Sequence, residues 1–215
     1  MGRKLLWGIP AALYLIFVFW YTDLGGRLQP DEIEAFAEKL VDVGLGPEEV
    51  EHVSRFMESD TGRQFIMVNI LDMNANPPHV EGAEPGENAQ QLMGRYMEHM
   101  FRELFKRACH PIYAGDAVFY AMDLVGVEGM DRPERWTNVG LMRYRSRRSI
   151  MEIITNPETL GRHEFKIAAL SKTIAFPVET VLNPGELRFV LAAVLLAGVG
   201  LVDLALYRRS PGPEQ

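Results

Sequence analysis

Long uninterrupted apolar runs lie near both ends of the chain. Residues 5–21 read LLWGIPAALYLIFVFWY and residues 189–202 read FVLAAVLLAGVGLV, without a charged side chain in either run. A helix needs about 20 largely apolar residues to cross a bilayer, so the pattern predicts a transmembrane helix at each end. A cleaved signal peptide is the alternative for the first run, but no small-x-small cleavage site follows Tyr21.

Basic residues flank both apolar runs on their outer sides. Arg3 and Lys4 precede the first run, and Arg208 and Arg209 follow the second. The positive-inside rule therefore predicts a two-pass membrane protein with both termini cytoplasmic and the intervening domain on the other side. In a bacterium, this topology is that of an inner-membrane protein with a periplasmic domain. Asp203 directly follows the second run, and apolar residues continue after it to Tyr207. An ionisable residue in such a segment is a candidate functional group, but Asp203 is also close enough to Arg208 to reach the interface.

Between the runs, the apolar periodicity predicts a regular succession of elements. Two amphipathic helices after Gln29 and Gly46 are typical of a stalk above the membrane. We therefore divide the chain as an N-terminal transmembrane anchor 1–25, a helical stalk 26–59, an α+β domain 60–184, a C-terminal transmembrane helix 185–208 and a tail 209–215.

The α+β domain combines alternating segments with segments of helical spacing. The prediction is a strand 65–73, a helix 89–108, a strand 111–126 with a bulge at Gly115 and Asp116, a strand 136–144 leading into a short helix after Ser146, a helix 156–172 and a strand 173–182. Residues 74–90 have the composition of a mobile loop. The order β-α-β-β-α-β is the ferredoxin-like arrangement.

The two faces of the first strand differ in composition. Ile66, Val68 and Ile70 are β-branched and apolar, which suits packing against helices. The alternate positions include Met67 and Asn69, so we expect that set, with Met142 on the third strand, to face the interior of a barrel.

Several local phrases resemble one known family. These are FIMVNILDM, Tyr96, the YAG of 113–115, the W-x-x-V of 136–139, the RYRSR of 143–147 and NPETLGRHEFKIAAL, within about 56–181. They are similar to the dimeric α/β-barrel superfamily, closest to its uncharacterised bacterial type called domain of unknown function 1330. Arg145 stands where that family carries proline, Cys109 and His110 stand where it often has paired glycines, and the flanking membrane spans are not part of the usual small soluble protein.

The resemblance implies a particular architecture. It implies a four-stranded sheet with two helices on one face, and a homodimer in which two sheets pack face to face and close a barrel. Related barrels include cofactor-free monooxygenases, haem-handling enzymes, isomerases and proteins without demonstrated chemistry, so the fold alone does not select a function.

Composition excludes several functions. A formal net charge of −7 without a dense basic patch argues against nucleic acid as a partner. The single cysteine, Cys109, excludes an intrachain disulfide. No two of the five histidines have i, i+3 or i+4 spacing, and there is no zinc signature, so we predict no metal and no cofactor.

Five residues are the predicted ligand-binding set: Asn69, Tyr113, Trp136, Asn138 and His163. His163 shares a helix face with apolar residues and could be a general base, or a structural histidine bonded to a backbone carbonyl. The two asparagines could orient a substrate carbonyl or bond to each other across the sheet. The tyrosine and the tryptophan could line an apolar pocket or pack in the core.

Two further features leave alternatives open. His110 is either a site residue at the mouth of the second strand or an ordinary loop residue. An arginine cluster lies at the end of the third strand and consists of Arg143, Arg145, Arg147 and Arg148. Either it attracts an anionic ligand or lipid headgroup, or it forms a solvated corner with one structural salt bridge.

Two functions remain open at this point. The first is a membrane-anchored barrel that binds a small hydrophobic or aromatic molecule, as a cofactor-independent enzyme or as a binding protein. The second is a non-catalytic accessory or scaffold subunit of a larger membrane complex.

Overall fold

A computed structural model describes residues 2–207, which form two compact units. The first, here called the helix pair, consists of residues 2–22 and 181–207; the second, the sheet domain, consists of residues 23–180. The predicted tail 209–215, together with Arg208 and Arg209, lies outside the described residues.

The helix pair consists of α1, Arg3–Tyr21, and α8, Leu187–Tyr207. Both are long and apolar enough to cross a membrane. Asp203 is buried and accepts two hydrogen bonds from Arg3, at 2.8 Å to Nε and 2.7 Å to Nη2. The carboxylate in the second apolar run is therefore the partner of a basic residue on the first helix.

The sheet domain follows the predicted order of elements. Its elements are α2 Pro30–Asp42, α3 Pro47–Glu58, β1 Phe65–Met73, α4 Ala89–Lys106, β2 His110–Asp116, β3 Asn138–Tyr144, α5 Arg147–Ile154, α6 Pro157–Leu160, α7 His163–Ala169 and β4 Leu170–Glu179. The strands form one sheet in the order β2-β3-β1-β4, and every neighbouring pair is antiparallel. The domain is therefore α+β with a four-stranded antiparallel sheet.

Side-chain caps determine where the helices begin. The Asn88 side chain accepts from the Gln91 N–H at 3.0 Å while the Gln91 side chain accepts from the Asn88 N–H at 2.9 Å, which is a reciprocal capping box at the start of α4. Ser146 accepts from the Ser149 N–H at the start of α5. This cap ends β3 and turns the chain into helix at the arginine cluster.

The second strand is shorter than predicted. It ends at Asp116 because β3 offers only seven residues for pairing, and residues 117–137 form a long connection instead of strand. The irregularity in its ladder lies between Pro111 and Tyr113, not at Gly115 and Asp116. Pro111 has no N–H to donate to a partner strand, which accounts for the position of the shift.

The predicted helix 156–172 is divided into two. α6 ends at Leu160, Gly161 follows, and α7 begins at His163. β4 already begins at Leu170, three residues before the predicted start at Thr173. Pro177 lies in β4, which is an edge strand, as expected for a residue without a backbone donor.

The assignment of the two sheet faces was wrong. Phe65, Met67 and Met142 pack in one cluster with residues of α4, so the methionine-bearing face lies beneath the domain's own helices. The face with Val68 lies opposite, and Ile66, Val68, Ile70 and Leu141 do not belong to that cluster. An amide is tolerated beneath the helices because Asn69 bonds to backbone carbonyls there.

The helices predicted as a stalk pack within the sheet domain. Leu40 of α2, Met57 of α3 and Met151 of α5 are almost fully buried in one cluster. A fully buried methionine or leucine is worth about 1.5–3 kcal/mol relative to an exposed one, so this contact holds α2 and α3 on the domain.

Candidate functional site

A row of small side chains crosses the helix-covered face of the sheet. Asn69 of β1 is paired with Gly140 of β3 on one side and with Ala175 of β4 on the other, and Gly140 is paired in turn with Ala114 of β2. A Cβ built on Gly140 would meet no atom within 4 Å. The row therefore leaves space between the sheet and the helices above it.

That space is a cavity of about 580 Å³. Methionines supply much of its wall: Met67, Met93, Met97, Met100 and Met142. The volume is within the range of small-molecule sites, roughly 300–1,000 Å³. Methionine side chains are flexible and polarisable, so they suit contact with an apolar ligand of variable shape.

Two tyrosines line the cavity without hydrogen-bond partners for their hydroxyls among residues 2–207. They are Tyr96 of α4 and Tyr144 of β3, and both residues are buried. Burial raises the pKa of Tyr96 to about 12, and it raises the pKa of Tyr144 further. Both therefore remain protonated at neutral pH and can donate a hydrogen bond to a bound molecule.

Lys166 of α7 contributes a cation. Its Nζ lies 5.7 Å from the centroid of the Tyr96 ring, within the range of a cation–π contact. Burial lowers the pKa of Lys166 below its ordinary value, since a charged amine is poorly solvated there. No carboxylate of the described chain lies within ion-pair distance of this ammonium.

His163 stands one helical turn before Lys166 and also lines the cavity. Its ring meets the Tyr96 ring edge to face, with centroids 6.1 Å apart, and much of the residue is exposed. Burial, and then the charge of Lys166, lower the pKa of His163 below 6.5. The imidazole is therefore neutral at pH 7 and able to accept a proton.

Asn69 lies at the floor of the cavity. Its Nδ2 donates to the carbonyls of Met67 and Gly140, at 3.2 and 3.3 Å. These bonds orient the amide, and its Oδ1 accepts no hydrogen bond from residues 2–207.

The other three residues of the predicted ligand set do not line this cavity. Tyr113 lies on the opposite face of the sheet and is 55% exposed. The Trp136 indole donates to the carbonyl of Pro133 at 2.8 Å, and Lys172 lies above its ring. Asn138 donates to Asp116 at 2.6 Å, so the two asparagines do not bond to each other. The structure thus brings together Asn69 and His163 only.

The arginine cluster binds other parts of the sheet domain. Arg143 and Arg147 are buried, so the expectation of a solvated corner is wrong for both. Arg143 donates to Gln64 and to the carbonyl of Ala108, Arg147 to Ser59 and the carbonyl of Phe56, and Arg148 to Glu32. His110 stands at the start of β2, with Nδ1 3.0 Å from the Pro111 carbonyl.

Sequence reasoning missed Tyr96, Tyr144 and Lys166 as cavity residues. One signal was available: Lys166 follows His163 by three residues, and such a pair shares a helix face. Within residues 2–207, no group of three or more histidine, cysteine, aspartate or glutamate side chains is placed to hold a metal ion.

Solved structures show a similar fold. A crystal structure of methylated RPA0582 protein has a TM-score of 0.51 and 17% sequence identity, covering 67% of this chain and 97% of that chain. A second structure of RPA0582, described as a protein of unknown function from Rhodopseudomonas palustris, has a TM-score of 0.49 and 15% identity, covering 66% and 98%.

Because the sequence identity is so low, these similarities concern the fold alone. No family model matches the sequence. No curated protein matches it either.

Proposed function

We propose that the sheet domain binds a small hydrophobic or aromatic molecule in the cavity above Asn69 and Gly140. The observation that carries this proposal is an open volume of about 580 Å³ over a row of small residues, bordered by polar groups that have no hydrogen-bond partner among residues 2–207. A few polar groups on an otherwise apolar wall are typical of small-molecule sites, where they orient the ligand by hydrogen bonds.

We also propose a specific topology for the sheet domain. The strand order β2-β3-β1-β4, with a helical crossover between β1 and β2 and another between β3 and β4, supports a ferredoxin-like domain of the dimeric α/β-barrel type. The uncharacterised bacterial type named above is the closest form that the local phrases suggest.

We further propose a homodimer through the open face of the sheet. Ile66, Val68 and Ile70 of β1 lie there beside Leu141 of β3 and Phe176 of β4. Apolar side chains on a sheet face are costly to expose to water, and a second copy would cover them with the same apolar residues. The cavity is on the other face, so dimerisation leaves it unobstructed.

His163 is the candidate for chemistry in this site. A neutral imidazole at the cavity, in contact with the Tyr96 ring, suits a general base acting on a bound substrate without a metal. Loss of a general base typically costs about two to four orders of magnitude in rate, so His163→Gln would separate an enzyme from a binding protein once a substrate is identified.

The helix pair supports a membrane location for this activity. We propose that α1 and α8 anchor the chain in a bacterial inner membrane with the sheet domain on the periplasmic side. The orientation is inferred from Arg3 and Lys4, because basic residues that flank a membrane span are usually on the cytoplasmic side.

Filling the cavity tests the binding proposal. The probe is naphthamide, a neutral aromatic molecule, titrated calorimetrically into the full chain in lipid nanodiscs, with empty nanodiscs as the blank. Gly140→Leu places a side chain in the cavity and should abolish binding, whereas Gly94→Leu adds the same side chain on the exposed surface of α4 and should leave it unchanged. Equal binding by all three proteins would exclude this cavity as the site.

An accessory or scaffold role is the second candidate, and a specific surface favours it. In the connection between β2 and β3, Val118 is 99% exposed, Met122 95% and Val125 85%. Apolar side chains exposed in series are typical of a surface that contacts another protein. A wild-type chain that binds no small aromatic probe, and whose β2–β3 connection is protected in a larger membrane complex, would establish this role instead.

A further inference from the structure

The cavity is chemically asymmetric. One end, here called the polar end, is formed by Tyr96, His163 and Lys166, whose side chains contact one another through the Tyr96 ring. Methionine and leucine make up about half of the remaining wall, and its polar members, Asn69, Tyr144, Thr159 and Glu49, carry no positive charge. A ligand that fills the volume therefore needs one polar group and an apolar body.

The charges at the cavity determine the sign of that polar group. Lys166 is the cation of the polar end and, within residues 2–207, has no carboxylate partner. Glu49 also lines the cavity, but it is exposed and already accepts the Gly46 N–H at 2.9 Å. An anionic group would therefore gain an ion pair at the polar end, whereas an amine would meet a like charge there.

The size of the charge also follows from the surroundings. A phosphate is normally held by several cations or by a series of backbone N–H groups. Here a single ammonium and a neutral imidazole both contact the ring of Tyr96, which suits a singly charged carboxylate with two acceptor oxygens.

We propose that the ligand of this cavity is an apolar monocarboxylate, of the aromatic acid or fatty acid type. Its carboxylate pairs with Lys166 and accepts a hydrogen bond from the Tyr96 hydroxyl, and its apolar body contacts Met93 and Met97. This inference rests on the proposed function, because it names the ligand class of the same cavity.

A matched pair of probes tests the ligand class. Naphthoate and naphthamide share the same ring system and differ in the charge of one group, and both are titrated into the full chain in nanodiscs at pH 7. We expect naphthoate to bind at least about tenfold more tightly than naphthamide, since charge-assisted hydrogen bonds are roughly twice as strong as neutral ones.

The variants assign the preference to its residues. Lys166→Met should weaken naphthoate binding far more than naphthamide binding and so remove the naphthoate preference, and Tyr96→Phe should weaken naphthoate binding several-fold. Lys39→Met is the control, because Lys39 makes a similar contact with Phe36 at 5.3 Å but does not line the cavity. If Lys166→Met does not fold, Lys166→Gln provides the same comparison.

The possible results distinguish the proposal of a monocarboxylate ligand from the proposal that the cavity binds a small molecule at all. Equal affinity of the wild type for the acid and the amide overturns the ligand class and leaves the cavity as the binding site. Equal loss of both probes in Lys166→Met overturns the pairing of Lys166 with the carboxylate. Failure of both probes to bind the wild type overturns the binding proposal as well.

Discussion

Replacing Gly140 with leucine should stabilise the sheet domain while it removes the ligand site. Gly140 lies in the middle of β3, between Asn69 and Ala114, and a Cβ there meets no atom within 4 Å. A leucine at this position can therefore extend into the cavity without displacing the backbone.

The magnitude follows from three contributions. Burying a leucine side chain contributes about 1.5–3 kcal/mol. Removing a glycine from the unfolded chain contributes about 0.4–1 kcal/mol more, and ordering the leucine costs about 0.5–1 kcal/mol. The expected net gain in the free energy of unfolding is about 1–3.5 kcal/mol, or a rise in Tm of about 2–4 °C per kcal/mol for a chain of this size.

Thermal unfolding of the full chain in nanodiscs measures this gain. Gly94→Leu is the control, since leucine has a higher helix propensity than glycine by about 0.8 kcal/mol but is not buried at that exposed position. We expect Gly140→Leu to exceed the control without ligand. With naphthamide at about 100 times its Kd, wild type and control should gain about 2.7 kcal/mol and Gly140→Leu nothing.

The decisive comparison is the stability of Gly140→Leu relative to Gly94→Leu, which should be higher without naphthamide and lose that advantage when naphthamide is added. A Gly140→Leu protein that is less stable than wild type would mean that the space above the sheet is filled in solution. A variant that is stabilised by naphthamide as much as wild type would mean that the probe binds elsewhere.

Four further predictions test other parts of the structure. The pKa of His163 is lowered in the folded protein, so just below pH 6.5 the unfolded chain binds more protons than the folded one. The wild type should therefore lose stability as the pH falls through this range. In thermal melts at pH 7 and pH 5, His163→Gln should lose less stability than the wild type. Arg147→Met should destabilise the sheet domain by about 3 kcal/mol in chemical unfolding, because it leaves the buried Asp60 without its cation; an unchanged midpoint would refute this. Val68→Asp should convert a dimer into monomers by light scattering, whereas Val68→Thr should not, and a wild-type monomer would exclude the dimer. Reporters fused at residue 215 and inserted in the loop 74–90 should report opposite sides of the membrane; a cytoplasmic loop reporter would reverse the proposed topology.

Local patterns along the chain were sufficient for most of the elements. The apolar run from Phe65 to Met73 matches β1, and the predicted helix start at Ala89 matches the start of α4. Apolar runs and helical periodicity are short-range properties, since they depend on residues a few positions apart. The same holds for the apolar lengths of α1 and α8.

Strand pairing and helix packing determined the length of β2 and the covered face of β1, which local sequence patterns do not specify. The apolar residues after Asp116 resemble a strand, but β3 provides no partners for them, so they form an exposed connection. Both faces of β1 are apolar, and only the packing of α4 on Phe65 and Met67 decided which face is covered. A strand forms where another strand supplies hydrogen bonds, which no single segment specifies.

The cavity is likewise a property of the tertiary structure. His163 and Asn69 were predictable as polar residues in apolar surroundings, but the row Gly140, Asn69 and Ala175 exists only because the register of three strands aligns those positions. Lys166 and Tyr96 come from different helices, and their contact depends on how α7 packs against α4. The sequence by itself determined the elements and their order, whereas strand register and helix packing decided where a ligand could bind, because empty space arises between elements and not within them.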